Sequence, residues 1–374
     1  LPLFHSHHMN RLIIIGNGFD LAHGLKTRYS DFMLDYVKKA IKTKNALNSD
    51  DQLIFIDGDP FFLRRLEYHL MKQKTLPAIV DFLKANSVQL RGNSKFINSI
   101  LLEIEKKNWV DIESIFFKQL HAQITNYTSL SDDRLGKVQD LLRRINEEMK
   151  ILEKALFKYL IEIEQKVKFD FDSEDCKDVM GIFKKGATRR NRKNPFPDEI
   201  TNTRVLNFNY TSIVNFYCKE LESELTISEI PLHGRLSNLE SIVFGFGDEV
   251  HSSYKEMEDL DENLFFEHIK SFKYFQNEHY KDLMSFLDVD RFEVFVLGHS
   301  LGLSDRTMLQ AIFNSDNLEK VQLFYYEKDG KNNFVEMTHQ LSRHFKDKNR
   351  MRTKVVPFSK SEPLPQFPAP QENL

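Results

Sequence analysis

Six short apolar runs punctuate the chain at residues 11–15, 205–208, 241–244, 292–297, 321–326 and 354–358, and none alternates strictly with polar residues. A strand apolar on both faces is a strand buried on both faces. Stretches with helical periodicity separate most of these runs, the clearest at 30–41, 304–313 and 333–345. Strand and helix in alternation admit few architectures, and the expectation is an α/β fold built on a parallel, Rossmann-like sheet.

Nearly 190 residues that read mostly as helix separate the first run from the second. Within them Leu135, Val138, Leu142, Ile145, Met149, Leu152, Leu156, Tyr159 and Ile163 repeat at spacings of three and four. That is one apolar stripe on a long helix. It fits packing against neighbouring helices, with a homo-oligomer seam as the alternative. The expected organisation is therefore an α/β nucleotide-binding domain at 9–40 and 200–358, interrupted by a mostly helical insertion at 41–199. Residues 1–8 (LPLFHSHH) read as an expression remnant and are set aside. Residues 184–193 carry six basic residues in ten and read as an exposed loop, with a nucleic-acid contact as the less favoured reading. The end, 359–374, reads as a Pro-rich extended tail.

Composition narrows the classes. Lys and Arg number 52 against 55 Asp and Glu, a formal charge of −3, which offers no global attraction to nucleic acid or a membrane surface. Two cysteines, Cys176 and Cys218, exclude a disulfide framework and a four-cysteine zinc site. With mean hydropathy −0.44 and no apolar run near the ~18 residues of a membrane span, the expectation is a cytoplasmic protein. Only 14 glycines occur, and eight of them cluster: Gly16, Gly18 and Gly24; Gly234, Gly245 and Gly247; Gly298 and Gly302. In a glycine-poor chain such clusters mark places where the backbone itself has work to do.

Four constellations lie at or near the ends of apolar runs. Gly16-Asn17-Gly18-Phe19-Asp20 follows the first, where backbone N–H groups face a phosphate or merely make a tight turn. It lacks the third glycine of a dehydrogenase fingerprint, since Leu21 stands there. Asn207-Phe208-Asn209-Tyr210-Thr211 ends the second run, as ligand group or helix cap. His233-Gly234 offers a general base or a hydrogen-bonded core histidine. Gly298-His299-Ser300-Leu301-Gly302 has the letters of a nucleophile elbow, with Asp329 and His339 or His344 completing the order of a serine hydrolase. Against that reading, Ser304 looks like the N-cap of the following helix, too late for an elbow. Trp109-Val110-Asp111-Ile112-Glu113 reads as the start of an ordinary amphipathic helix, hence core.

Taken together, these residues resemble the bacterial abortive-infection AbiH family, over about 9–328. The marks are the block 12–25 around Gly16-Asn17-Gly18-Phe19-Asp20, then 109–113, 207–211, His233-Gly234 and 298–305. The same islands are distantly similar to the sirtuin-like fold of bacterial defence NAD hydrolases. That resemblance implies a nucleotide loop at Gly16, Asn17, Gly18, Phe19, Asp20 and His23. It implies catalytic roles for Asn209, at the ribose, and His233, at the water or a ribose hydroxyl. Gly298, Ser300 and Asp305 would close the nucleotide site. The zinc module of sirtuin deacylases cannot form from two cysteines, and Thr211 stands where such proteins usually carry aspartate.

The implied activity is a phage-triggered NAD glycohydrolase with NAD as substrate and no resident cofactor or metal. Cleaving the nicotinamide–ribose bond passes through an oxocarbenium-like state. Its leaving group departs neutral and needs no general acid, so Asn209 and His233 would suffice to orient ribose and water. A serine hydrolase at Ser300 and a non-catalytic nucleotide sensor are the alternatives.

Overall fold

A computed structural model describes residues 8–42, 53–107, 110–128, 132–167, 170–186, 199–247, 249 and 252–367. Its centre is a six-stranded, wholly parallel sheet. Numbering only these strands, they are β1 (His8–Ile15), β2 (Glu199–Asn207), β3 (Ile227–Pro231), β4 (Phe292–Leu297), β5 (Leu318–Tyr325) and β6 (Glu362–Pro363). They lie in the order β6-β5-β4-β1-β2-β3. This is the doubly wound order of dinucleotide-binding folds, with its switch point between β1 and β4.

The apolar runs follow from this geometry. In β1, Leu12 and Ile14 pack into one layer with Leu206, Val296 and Met308, while Ile13 and Ile15 pack into the other with Phe19, Val205 and Phe295. Successive side chains point to opposite faces, so both faces demand apolar residues. Ile15 pairs level with both Asn207 and Leu297, which brings the loops after β1, β2 and β4 to one edge.

A separate helical core lies between β1 and β2 in sequence. Its axis is the Asp132–Glu164 helix, whose stripe residues Leu142, Met149 and Leu152 are fully buried within the chain. Segments from outside that insertion join the same core: Phe32 and Val37 before it, Phe244, Phe265 and Ile269 after it. The helix reaches the sheet's edge at its end, where Glu164 accepts hydrogen bonds from the Ser212 N–H and hydroxyl. Ile54–Asp57 and Gln89–Gly92 form a small antiparallel pair that the helical reading does not include.

Several expected elements differ. Residues 241–244 are not a strand: Leu239–Ser241 is a 3-10 turn, and the Val243 N–H donates to the His233 carbonyl outside any strand ladder. Those residues are apolar because Phe244 is buried in the helical core. Residues 354–358 also fail to form one. Val355 makes one bridge to Val321, Pro357 has no N–H to continue, and the edge pairing resumes only at β6. β3 was unforeseen because its sequence, ISEIP, is half polar. The strand placed after the expression remnant begins at His8. Of the basic run, Lys184 and Lys185 pair with Glu224 and Glu362, and 187–193 lie outside the described residues. Among the described residues no helix is long and apolar enough to cross a membrane.

Candidate functional site

A cavity of about 680 Å³ opens along the carboxyl edge, over the switch point, and all four constellations reach it. The loops after β1 and β4 form its floor. They meet backbone to backbone: the Gly18 N–H donates to the Gly298 carbonyl at 2.7 Å, and Gly298 has φ +68. A Cβ on Gly298 would stand 2.1 Å from the Phe19 nitrogen, and one on Gly18 would stand 2.7 Å from the Gly298 oxygen. These glycines are therefore required by contact between loops. The Gly18 amide is committed there, which corrects its expected place on a phosphate.

Asp20, in the short Asn17–Ala22 helix, is 1 % exposed and ties this floor to β2. Asn209 Nδ2 donates to Asp20 Oδ1 at 2.8 Å and to the Gly16 carbonyl at 3.1 Å, and the Thr211 hydroxyl donates to Asp20 Oδ2 at 2.8 Å. Burial raises the Asp20 carboxyl to about 7, in spite of those hydrogen bonds. Thr211 thus has a partner, and Asn209 is no helix cap. Asn17 faces the cavity while its side-chain amide is engaged with Thr27.

Two expected nucleotide residues are elsewhere. Phe19 is fully buried beneath the floor. His23 is hydrogen-bonded through Nδ1 to the Phe19 carbonyl and through Nε2 to the Tyr217 hydroxyl, and it stacks on Phe367. Burial holds it down at about 4. Neither borders the cavity; an imidazole between a helix carbonyl and a tyrosine is a core histidine.

His233 and Asp305 do border it. His233 Nε2 lies 3.3 Å from Asp305 Oδ1 and makes no other hydrogen bond. The Phe208 carbonyl takes the bond of the other ring nitrogen. Burial, then the Lys270 charge, lower the His233 pKa, so the ring is neutral. His299 approaches the other carboxylate oxygen at 3.7 Å, accepts from the Leu301 N–H through Nδ1, and is pushed by burial to about 4. The edge of Phe208 contacts both imidazoles.

Sequence reasoning missed what governs this carboxylate. Lys270, 1 % exposed, bridges Asp305 Oδ1 at 2.9 Å and Glu113 Oε2 at 3.1 Å. Burial opposes both charges, but the pairing wins: Asp305 is held well below the carboxylate range and Lys270 well above its ordinary value. Glu113, also bonded to the Gly245 N–H, is raised by burial to about 7. Asp305 stands at the cap position of the Arg306–Asn314 helix without a capping bond, because its side chain is turned to Lys270. Ser304 is accordingly not the cap. Asp111 and Glu113 are cavity residues, which corrects their reading as core; Trp109 lies outside the described residues. Lys270 carried no legible signal, sitting in the unremarkable run His268-Ile269-Lys270.

Ser300 is exposed at the cavity, but the elbow is not built. The positive φ, +54, falls at Leu301. His344 is wholly buried with Nε2 on the Leu301 carbonyl, His339 is exposed, and Asp329 sits in the exposed turn between Glu327–Lys328 and Lys331–Asn332.

All of the cavity-lining residues except Asn333 and those beyond it fall within 12–327, the stretch matched by the family model described as bacteriophage abortive infection AbiH. The chain belongs to the AbiH family. No curated protein matches it significantly. In this AbiH chain the family match takes in five of the six strands, from Leu12 in β1 to Glu327 just past β5, and leaves out the edge strand β6. The C-terminal segment adds a wall of its own: Leu364 and Gln366 line the AbiH cavity, and the Phe367 N–H donates to the Ala22 carbonyl.

Proposed function

We propose that this AbiH chain is an abortive-infection effector that hydrolyses the nicotinamide–ribose bond of an NAD-type nucleotide when triggered, with phage infection supplying the trigger. One observation carries the reading: a neutral, buried histidine borders a cavity at the switch point of a doubly wound sheet, with its Nε2 beside the Asp305 carboxylate. Water attacks the anomeric carbon, the C–N bond breaks, and nicotinamide leaves with the bonding pair as a neutral molecule. The water's proton passes to His233 Nε2. The imidazolium so formed faces Asp305 at 3.3 Å, a charge already fixed by Lys270. Asn209 has both amide hydrogens engaged and keeps Oδ1 as acceptor for a ribose hydroxyl. Phosphates go to the loop floor and the exposed Arg28 rather than to the Gly18 amide.

The test is nicotinamide release from NAD, followed by chromatography, with His233→Ala and Asn209→Ala beside the parent chain. Release that both variants abolish supports the reading. Release that survives His233→Ala overturns the assigned base, and an NAD-dependent rise in melting temperature without release marks a sensor.

A further inference from the structure

The inner end of the cavity has an unusual charge pattern. Asp111, Glu113 and Asp305 border it, against a single buried cation, Lys270; His233 and His299 are both neutral there. Three carboxylates meet one ammonium where Glu113 is 6 % exposed and the Asp305 side chain 11 %. Charge held away from water is costly, and burial already raises Glu113 to about 7, where either a proton or a cation relieves it. The walls beside it are aromatic: the His233 ring lies 5.1 Å from that of Phe208 and 6.2 Å from that of Tyr210. Ring faces also favour a cation. His233, 5 % exposed, borders the same space, and its Nε2, with no other hydrogen bond, lies 3.3 Å from Asp305 Oδ1. The rim has the opposite sign at Arg28, which is exposed.

We propose that this inner end is a subsite for a cationic nitrogen heterocycle, recognised by Asp111, Glu113 and Asp305. The assignment builds on the nucleotide reading above and fixes which form of the nucleotide enters, and which way round. The oxidised dinucleotide brings a pyridinium ring to the carboxylates and leaves its phosphates at the rim. The reduced dinucleotide has the same phosphates and adenine but an uncharged ring. A phosphate at the inner end would face three carboxylates.

Equilibrium binding of oxidised and reduced NAD to the purified chain isolates the ring's charge. The oxidised form is expected to bind at least about tenfold more tightly, equivalent to ~1.4 kcal/mol. That gap should shrink in Glu113→Gln and again in Asp111→Asn, a half-buried position where the substitution is mild. The small probes 1-methylnicotinamide, a cation, and nicotinamide, which is neutral, are measured alongside by thermal shift. Equal binding of the two dinucleotides overturns the subsite and leaves the nucleotide reading standing. Selective stabilisation by 1-methylnicotinamide when neither dinucleotide binds upholds the subsite and removes the NAD reading. Silence from all four probes overturns both.

Discussion

Lys270 Nζ lies 2.9 Å from Asp305 Oδ1, and the two are brought together across 35 residues of sequence inside the protein. Breaking a buried pair by removing one partner leaves the other charge uncompensated and costs about 3–5 kcal/mol. Here two carboxylates, Asp305 and Glu113, lose their cation at once. Lys270→Met is expected to lower unfolding free energy by at least that range in urea titration. A loss under about 1 kcal/mol would mean the pair is solvated in solution.

The Asp20 carboxyl, raised by burial to about 7 from an ordinary value of 3.8, gives a pH prediction with a definite sign. Between those values the folded chain holds a proton that the unfolded chain has released, so this group's contribution is present below pH 4 and lost as pH rises through 7. Asp20→Asn removes that loss. The stability gap between parent and variant should narrow by a few kcal/mol from pH 4 to pH 8. A constant gap sinks the claim. The comparison of the two proteins also cancels the buried histidines, whose pKa values near 4 make stability rise with pH over the window from 4 to 6.5.

Two glycines with nearly the same backbone separate contact from conformation. Gly298 has φ +68 and a Cβ clash at 2.1 Å, whereas Gly330 has φ +72 and nothing within 4 Å. Gly330→Ala should cost roughly 1–2 kcal/mol, the ordinary penalty of a left-handed residue. Gly298→Ala must also part the two loops and is expected to cost several times more and to abolish any nucleotide-dependent thermal shift. Similar costs for both would show that the loops give way readily.

The sheet was legible because β1, β4 and β5 are buried on both faces, which leaves runs that are mostly apolar and broken only at positions such as Glu293 and Gln322. β3, at an edge, carries Ser228 and Glu229, the latter buried against Arg235 and Asn207, and with these polar residues it looks like a loop. The cavity's glycines and His233 were legible because strand ends are where such loops must lie. Lys270 was not, since its function is set by Glu113 and Asp305, 157 and 35 residues away. His23 misled in the other direction: its neighbours in sequence are site residues, but its helix turns it toward Tyr217.

Ser300 separates hydrolase chemistry from nucleotide contact. Its neighbours do not supply a base: His344 Nε2 is held 2.9 Å from the Leu301 carbonyl. The chain should therefore resist labelling by a fluorophosphonate probe, and Ser300→Ala should release nicotinamide at a rate within a few-fold of the parent. Stoichiometric labelling lost in Ser300→Ala would reinstate the serine hydrolase.

The C-terminal segment gives a last expectation, because it touches the cavity from outside the family match. Leu364 donates from its N–H to the Tyr325 carbonyl, and Phe367 stacks on His23 with ring centroids 4.2 Å apart. Half-burial of one aromatic ring contributes roughly 1–2 kcal/mol, so Phe367→Ala should lower the melting temperature only modestly. Because Leu364 and Gln366 between these two anchors line the cavity, loosening one anchor should change nucleotide affinity by more than the stability loss explains. The comparison to make is with Phe275→Ala, 86 % exposed and apart from the cavity, which should alter neither quantity. If Phe367→Ala leaves nucleotide affinity untouched, the segment braces the fold without shaping the site.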